Sequence, residues 1–188
     1  MEVLLSRASL YHYDSKELDK AEKEYKKIVA IAEQDDTEEN KEIKYSTLLS
    51  LADLYHYDME NTDKAEELYT VIKTEVKTGN SRILYNTLYS AIIGLGNAHL
   101  HTHHNVAEAE SLYNTVIEAC TNNPKAIADE IHYTAMLYLA HIHNDHHENK
   151  EEAQSLYQKI VDAAKDEEIY IPEDMLEEAE QEVQSLSA

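Results

Sequence analysis

Eight of the eleven histidines in this 188-residue chain lie in two short clusters: His99, His101, His103 and His104, then His141, His143, His146 and His147. A spacing of four places His99 with His103, and His143 with His147, on one face of a helix. The two pairs are 44 residues apart. If the helices that carry them are packed neighbours, ~8 to 10 Å apart, four imidazoles converge. Neutral imidazole is the commonest ligand for Zn, Cu and Ni, and Asp145 could add an oxygen. The chain therefore holds a candidate site for a divalent transition metal at His99, His103, His143 and His147, although nothing in it requires a cofactor. The competing reading is packing, since His99 and His143 stand where earlier segments have Tyr11 and Tyr55.

Other chemistry is poorly represented. There is no Gly-rich phosphate loop, no nucleophile elbow and no His-Glu-x-x-His, and runs such as Glu177, Glu178 and Glu180 read as a solvated helix face. Cys120, near the end of a predicted helix, has no setting that would favour its thiolate. The expectation is a protein without enzymatic activity. Thirty-eight acidic against sixteen basic residues give a net charge of −22, which repels nucleic-acid phosphates and anionic headgroups. No apolar stretch approaches the ~20 residues that span a bilayer, and Met-Glu-Val-Leu-Leu at the start lacks a basic leader region. With a lone cysteine that cannot close an internal disulfide, the chain is expected to be soluble and cytoplasmic. Three Gly and two Pro supply too few turns for an all-β fold.

The elements that position these residues follow from a repeat. Segments beginning Ala21-Glu22, Ala65-Glu66, Ala109-Glu110 and Ala153-Gln154 each place Tyr four residues on (Tyr25, Tyr69, Tyr113, Tyr157) and an aliphatic seven on (Ile28, Ile72, Val116, Ile160). Every step is 44 residues. Upstream, Leu4, Leu48, Ile92 and Met136 recur at the same step, as do Ala8, Ala52, Gly96 and Ala140, then Tyr11, Tyr55, His99 and His143. The apolar spacing of three and four predicts two amphipathic helices, A and B, in each repeat. Asn61, Asn105 and Asn149 stand where the B helices should be N-capped, and Asp35, Gly79, Asn123 and Glu167 mark the links to the next repeat. Four helix-turn-helix repeats (about 1–34, 35–78, 79–122 and 123–166) and a capping helix over about 172–186, opened by Pro172, make one all-α domain over 1–188. Such helix pairs bury their apolar faces by stacking on neighbours, which predicts an α-solenoid of roughly nine helices.

Leu48, Leu51, Ala52, Tyr55, Ala65, Tyr69 and Ile72, and their counterparts Ile92, Leu95, Gly96, His99, Ala109, Tyr113 and Val116, make the chain resemble the tetratricopeptide (TPR) repeat over about residues 1–165. Its step is longer than that family's ~34 residues and is similar to the long repeats of the kinesin light chain variant. The resemblance implies a right-handed solenoid acting as a protein-interaction scaffold, with a peptide or helical segment held along the A helices. Carried over by position, the groove residues are Ser6 and Ser9, then Ser50, Asp53 and Tyr57, then Asn97 and His101, then Tyr138, His141 and Asp145. This polar, aromatic and slightly acidic surface suits a basic or neutral peptide. The Lys, Arg and Asn clamp for a C-terminal carboxylate in the family's co-chaperones is matched only at Asn97.

The two ends differ. The helix from Pro172 presents Glu177, Glu178 and Glu182 outward, as a terminal cap should, whereas Val3, Leu4, Leu5, Ala8 and Leu10 span too much of the first helix to be covered by one neighbour. Self-association through that end is expected, as a two-fold dimer in preference to an open filament.

Overall fold

The computed structural model describes residues 2–187, so the predicted start of the first helix at Met1, and Ala188, lie outside the described residues. Every regular element among them is helical: α1 (Glu2–Ser9), α2 (Leu18–Ala32), α3 (Glu38–Asp53), α4 (Thr62–Glu75), α5 (Arg82–His101), α6 (Val106–Asn122), α7 (Asp129–Asp145), α8 (Lys150–Ala163) and α9 (Glu173–Leu186). The predicted A helices are α1, α3, α5 and α7, and the B helices α2, α4, α6 and α8. Short π turns extend α1 (Leu10–Asp14) and α3 (Leu54–Asp58), both with the sequence Leu-Tyr-His-Tyr-Asp.

Contacts gather into two compact units, Met1–Ala98 and His99–Ala188, where the sequence predicts one array. In the first, α2 lies against α1 and α3, and α3 against α4. In the second, α7 lies against α6 and α8, and α9 covers α8 and touches α7.

The A-to-B turn is built alike in all four repeats. Lys16, Glu60, His104 and Glu148, spaced by the repeat step, all adopt the left-handed conformation, with φ of 51°, 50°, 53° and 51°. The next amide in each case donates to a carbonyl six residues back: Glu17 to Tyr11 (2.8 Å), Asn61 to Tyr55 (2.7 Å), Asn105 to His99 (2.8 Å) and Asn149 to His143 (2.8 Å). The left-handed residue followed by a closing bond is the logic of a helix C-cap, but the loop is one residue wider than the 6→1 bond of a Schellman motif. The three asparagines then cap the B helices as expected, each Oδ1 accepting a backbone N–H, from Lys64, Glu108 and Glu152, at 3.3 Å. In the first repeat Glu17 takes this place and forms no side-chain cap.

Small residues let the helices approach. Ala8, Ala21, Ala52, Ala65, Ala109, Ala140 and Ala153 are fully buried. The B-helix tyrosines fill the space beside them: Tyr25, Tyr69, Tyr113 and Tyr157 are at most 2% exposed. Tyr69 presses so closely on α5 that a Cβ at Gly94 would stand 2.4 Å from its Cζ. Glycine there is a packing requirement. α9 begins after Pro172 as predicted and buries Met175 and Ala179.

Candidate functional site

In the first unit the two Leu-Tyr-His-Tyr-Asp segments meet. His12, fully buried, has Nδ1 3.1 Å from the Tyr25 hydroxyl and Nε2 2.9 Å from Asp58 Oδ2, so one imidazole ties α2 to the end of the next repeat's A helix. With its proton on Nε2, the ring donates to the carboxylate and accepts from the phenol. Lys16 holds the other Asp58 oxygen at 3.0 Å. Burial works against the Asp58 charge, but the bonds from His12 and Lys16 outweigh it and keep this carboxyl below its ordinary range. Burial pushes the Tyr25 phenol up to about 12, so it remains a neutral donor.

Asp53, a residue expected in the groove, lies beside this network. Its Oδ1 accepts a 2.7 Å bond from the Tyr69 hydroxyl. Burial raises its pKa, opposed by that bond and by the charge of His12. The same burial, reinforced by Asp53, drives the Tyr69 phenol far above its ordinary value. Tyr57 is 57% exposed, and its hydroxyl accepts from Asn97 Nδ2 at 2.8 Å. Asn97 itself is buried and forms the floor of this face. Ser50 is partly exposed and donates to the Ser46 carbonyl within its own helix. Ser6 and Ser9 are exposed.

One residue of this face is absent from the positions carried over from the resemblance. Tyr13 is 58% exposed, stacks on His12 at 4.1 Å between ring centres, and has its phenol pKa raised by burial and by Asp53 and Asp58. The signal was in the sequence, because Tyr13 and Tyr57 occupy the same place in two successive Leu-Tyr-His-Tyr-Asp segments. His12 and Asp58 belong to those segments too.

The second unit brings together Tyr138 and His141, whose rings are 6.3 Å apart. Tyr138 also faces Tyr113 at 5.5 Å, and His141 faces Tyr157 at 5.9 Å. His141 Nε2 lies 3.1 Å from Glu178 on α9, so the terminal helix occupies part of this surface. Asp145 is exposed and accepts from Asn144 Nδ2 at 2.9 Å. His101 is exposed at the end of α5.

The predicted metal ligands form two pairs. The rings of His99 and His103 are 5.6 Å apart and those of His143 and His147 are 5.5 Å apart. Among the described residues no group of three or more His, Cys, Asp and Glu side chains is placed to hold a metal ion. His99 and His143 are half-buried, each with a buried Nδ1 that meets no hydrogen-bond partner. Their place in the repeat is that of Tyr55, whose hydroxyl donates to Glu22 at 2.6 Å. His103, His104, His146 and His147 are exposed, and His147 Nε2 reaches Glu110 at 3.1 Å.

No helix among the described residues is long and apolar enough to cross a membrane. Cys120 is buried, and burial pushes its thiol up to about 12, which disfavours a nucleophilic thiolate. The chain matches no protein-family model, no curated protein and no solved structure.

Proposed function

We propose that this chain is a non-enzymatic interaction scaffold, a right-handed α-solenoid of TPR-like repeats that holds a peptide or helical segment of a partner protein along its A helices. The observation that carries this reading is the recurrence, at one fixed step, of the same left-handed turn, the same backbone closure and the same buried tyrosine. Repeats of that kind bury their apolar faces on one another and leave a side surface available for partners. The exposed rings of Tyr13 and Tyr57, set among acidic groups, suit a partner that is basic or neutral. A cytoplasmic location is part of the same reading, in keeping with the free thiol of Cys120.

An affinity pull-down with the full chain tests it. Partners should be lost from Tyr57→Ala combined with Tyr138→Ala, and retention of every partner by the double variant overturns the reading. The alternative, a metal-binding or metal-sensing module for Zn, Ni or Cu, draws on the two histidine pairs. Calorimetry on untagged protein separates the two, since the scaffold reading expects no binding tighter than roughly tens of micromolar.

Self-association belongs to the same proposal. Val3 is 78% and Leu10 48% exposed on and just after α1, an apolar strip that a second copy would cover. Light scattering should report a dimer that Leu10→Glu dissociates, and a monomer at micromolar concentration with the same solubility in both forms removes this part.

A further inference from the structure

The first unit contains a carboxylate, Asp53, with which no lysine or arginine among the described residues pairs. A phenol takes one oxygen, and among those residues His12 is the one positively charging group that acts on it. Lys16, the nearest lysine of this network, is spent on Asp58. Two exposed rings belong to the same part of the unit: Tyr13, from the preceding repeat, whose phenol feels the Asp53 charge, and Tyr57, four residues after Asp53 in the extended A helix.

The chain shows elsewhere what this set of groups attracts. At Tyr55 the ring carries Lys64 Nζ 4.8 Å from its centre and Lys26 Nζ at 5.9 Å, while Glu22 binds both the Tyr55 hydroxyl and Lys26 at 2.6 Å. Tyr11, the equivalent residue one repeat earlier, carries Lys20 at 5.3 Å. Tyrosine faces beside a carboxylate are thus filled by lysines of the chain at these places. Tyr13 and Tyr57, both exposed, bring the same residue types to the part of the unit that holds Asp53. A cation over a tyrosine face is worth ~0.5 to 2 kcal/mol, more as it is desolvated, and a neighbouring carboxylate adds a charge-assisted hydrogen bond.

We propose that Tyr13, Asp53 and Tyr57 form a subsite for one lysine or arginine side chain of the bound peptide, the two rings flanking the cation and the Asp53 carboxylate neutralising it. This rests on the scaffold reading above and gives its partner a chemical class. The overall charge of −22 favours the approach of such a segment, but long-range attraction alone would not distinguish Asp53 from any other acidic residue.

Selection of a phage-displayed library of short random peptides on the full chain tests the subsite, with affinities of the enriched peptides then measured on variants. The expected result is enrichment of peptides sharing a Lys or Arg, whose affinity falls about tenfold or more for Asp53→Asn and for Tyr57→Ala. Glu177→Gln, which removes the same charge at an exposed position on α9, should leave their affinity unchanged. Asp53→Asn keeps an acceptor for the Tyr69 hydroxyl, and a thermal melt confirms that it folds. Enriched peptides without a shared cation that still depend on Tyr57 overturn the subsite and leave the scaffold standing. Equal losses in Asp53→Asn and Glu177→Gln also overturn it, because they reveal general charge attraction. If no enriched peptide depends on Tyr57 or Tyr138, both the subsite and the scaffold reading fall.

Discussion

Asp53 is held at a cost, and the sign of that cost can be tested. Burial raises its folded pKa above the unfolded value, so the unfolded state gives up the proton first as pH rises. Stability is then lost between the unfolded pKa of ~3.9 and the folded one, and the penalty is constant above that window. Asp53→Asn should therefore be more stable than the parent at pH 7, and the advantage should shrink toward nothing on approaching pH 3, as read by urea denaturation at both pH values. His132 works in the opposite direction. Its Nε2 is buried without a hydrogen-bond partner, and burial lowers its pKa, partly offset by Asp129. Its contribution is intact above the unfolded pKa of ~6.5 and declines as pH falls below it. A His132→Gln variant should lose less of its melting temperature between pH 7.5 and 5 than the parent does.

At the scale of elements, the four A-to-B turns set residues with a Cβ in a conformation natural to glycine. Lys16, Glu60, His104 and Glu148 each carry this strain, ~1 kcal/mol for a non-Gly residue. Glu60→Gly should recover part of it, raising stability by up to ~1 kcal/mol, while Asn105→Ala, which removes a cap, should cost about 1 kcal/mol. Chemical denaturation of the two variants checks both signs. Gly94 answers to a different constraint. Its Cβ would meet the ring of Tyr69, which is fully buried, so Gly94→Ala gains in helix propensity yet should lose ~1 to 3 kcal/mol through overpacking.

For the whole molecule the charge is unevenly divided. Residues 1–98 hold 19 acidic and 12 basic residues, net −7, whereas residues 99–188 hold 19 and 4, net −15, with nine of the eleven histidines. Mutual repulsion in the second part should weaken as salt rises, because the Debye length falls from ~30 Å at 0.01 M to ~8 Å at 0.15 M. The melting temperature should rise over that interval; no change would show that the excess negative charge does not limit stability. Lowering pH from 7.5 to 6 has two opposed effects, relief of repulsion by histidine protonation and the penalty at His132. A small net shift is expected.

The sequence by itself determined the helices, their order, the asparagine caps and the terminal helix after Pro172. Those features depend on spacing and on residues within four positions of one another, and the repeat displays each of them several times. The candidate site was legible only in part. Asp53 and Tyr57 were identified by their place in the A helix, but Tyr13 lay outside the positions carried over. The tie from His12 to Asp58 spans 46 residues, and nothing local marks His12 as buried while His104 is exposed. Only the tertiary structure decided that Asn97 and the B-helix tyrosines stand beneath the surface and that His99 and His143 have buried ring nitrogens. It also decided that Glu178 on α9 reaches His141. Each of these turns on which side chain fills the space between two helices, and that depends on the volumes and polar partners contributed by both.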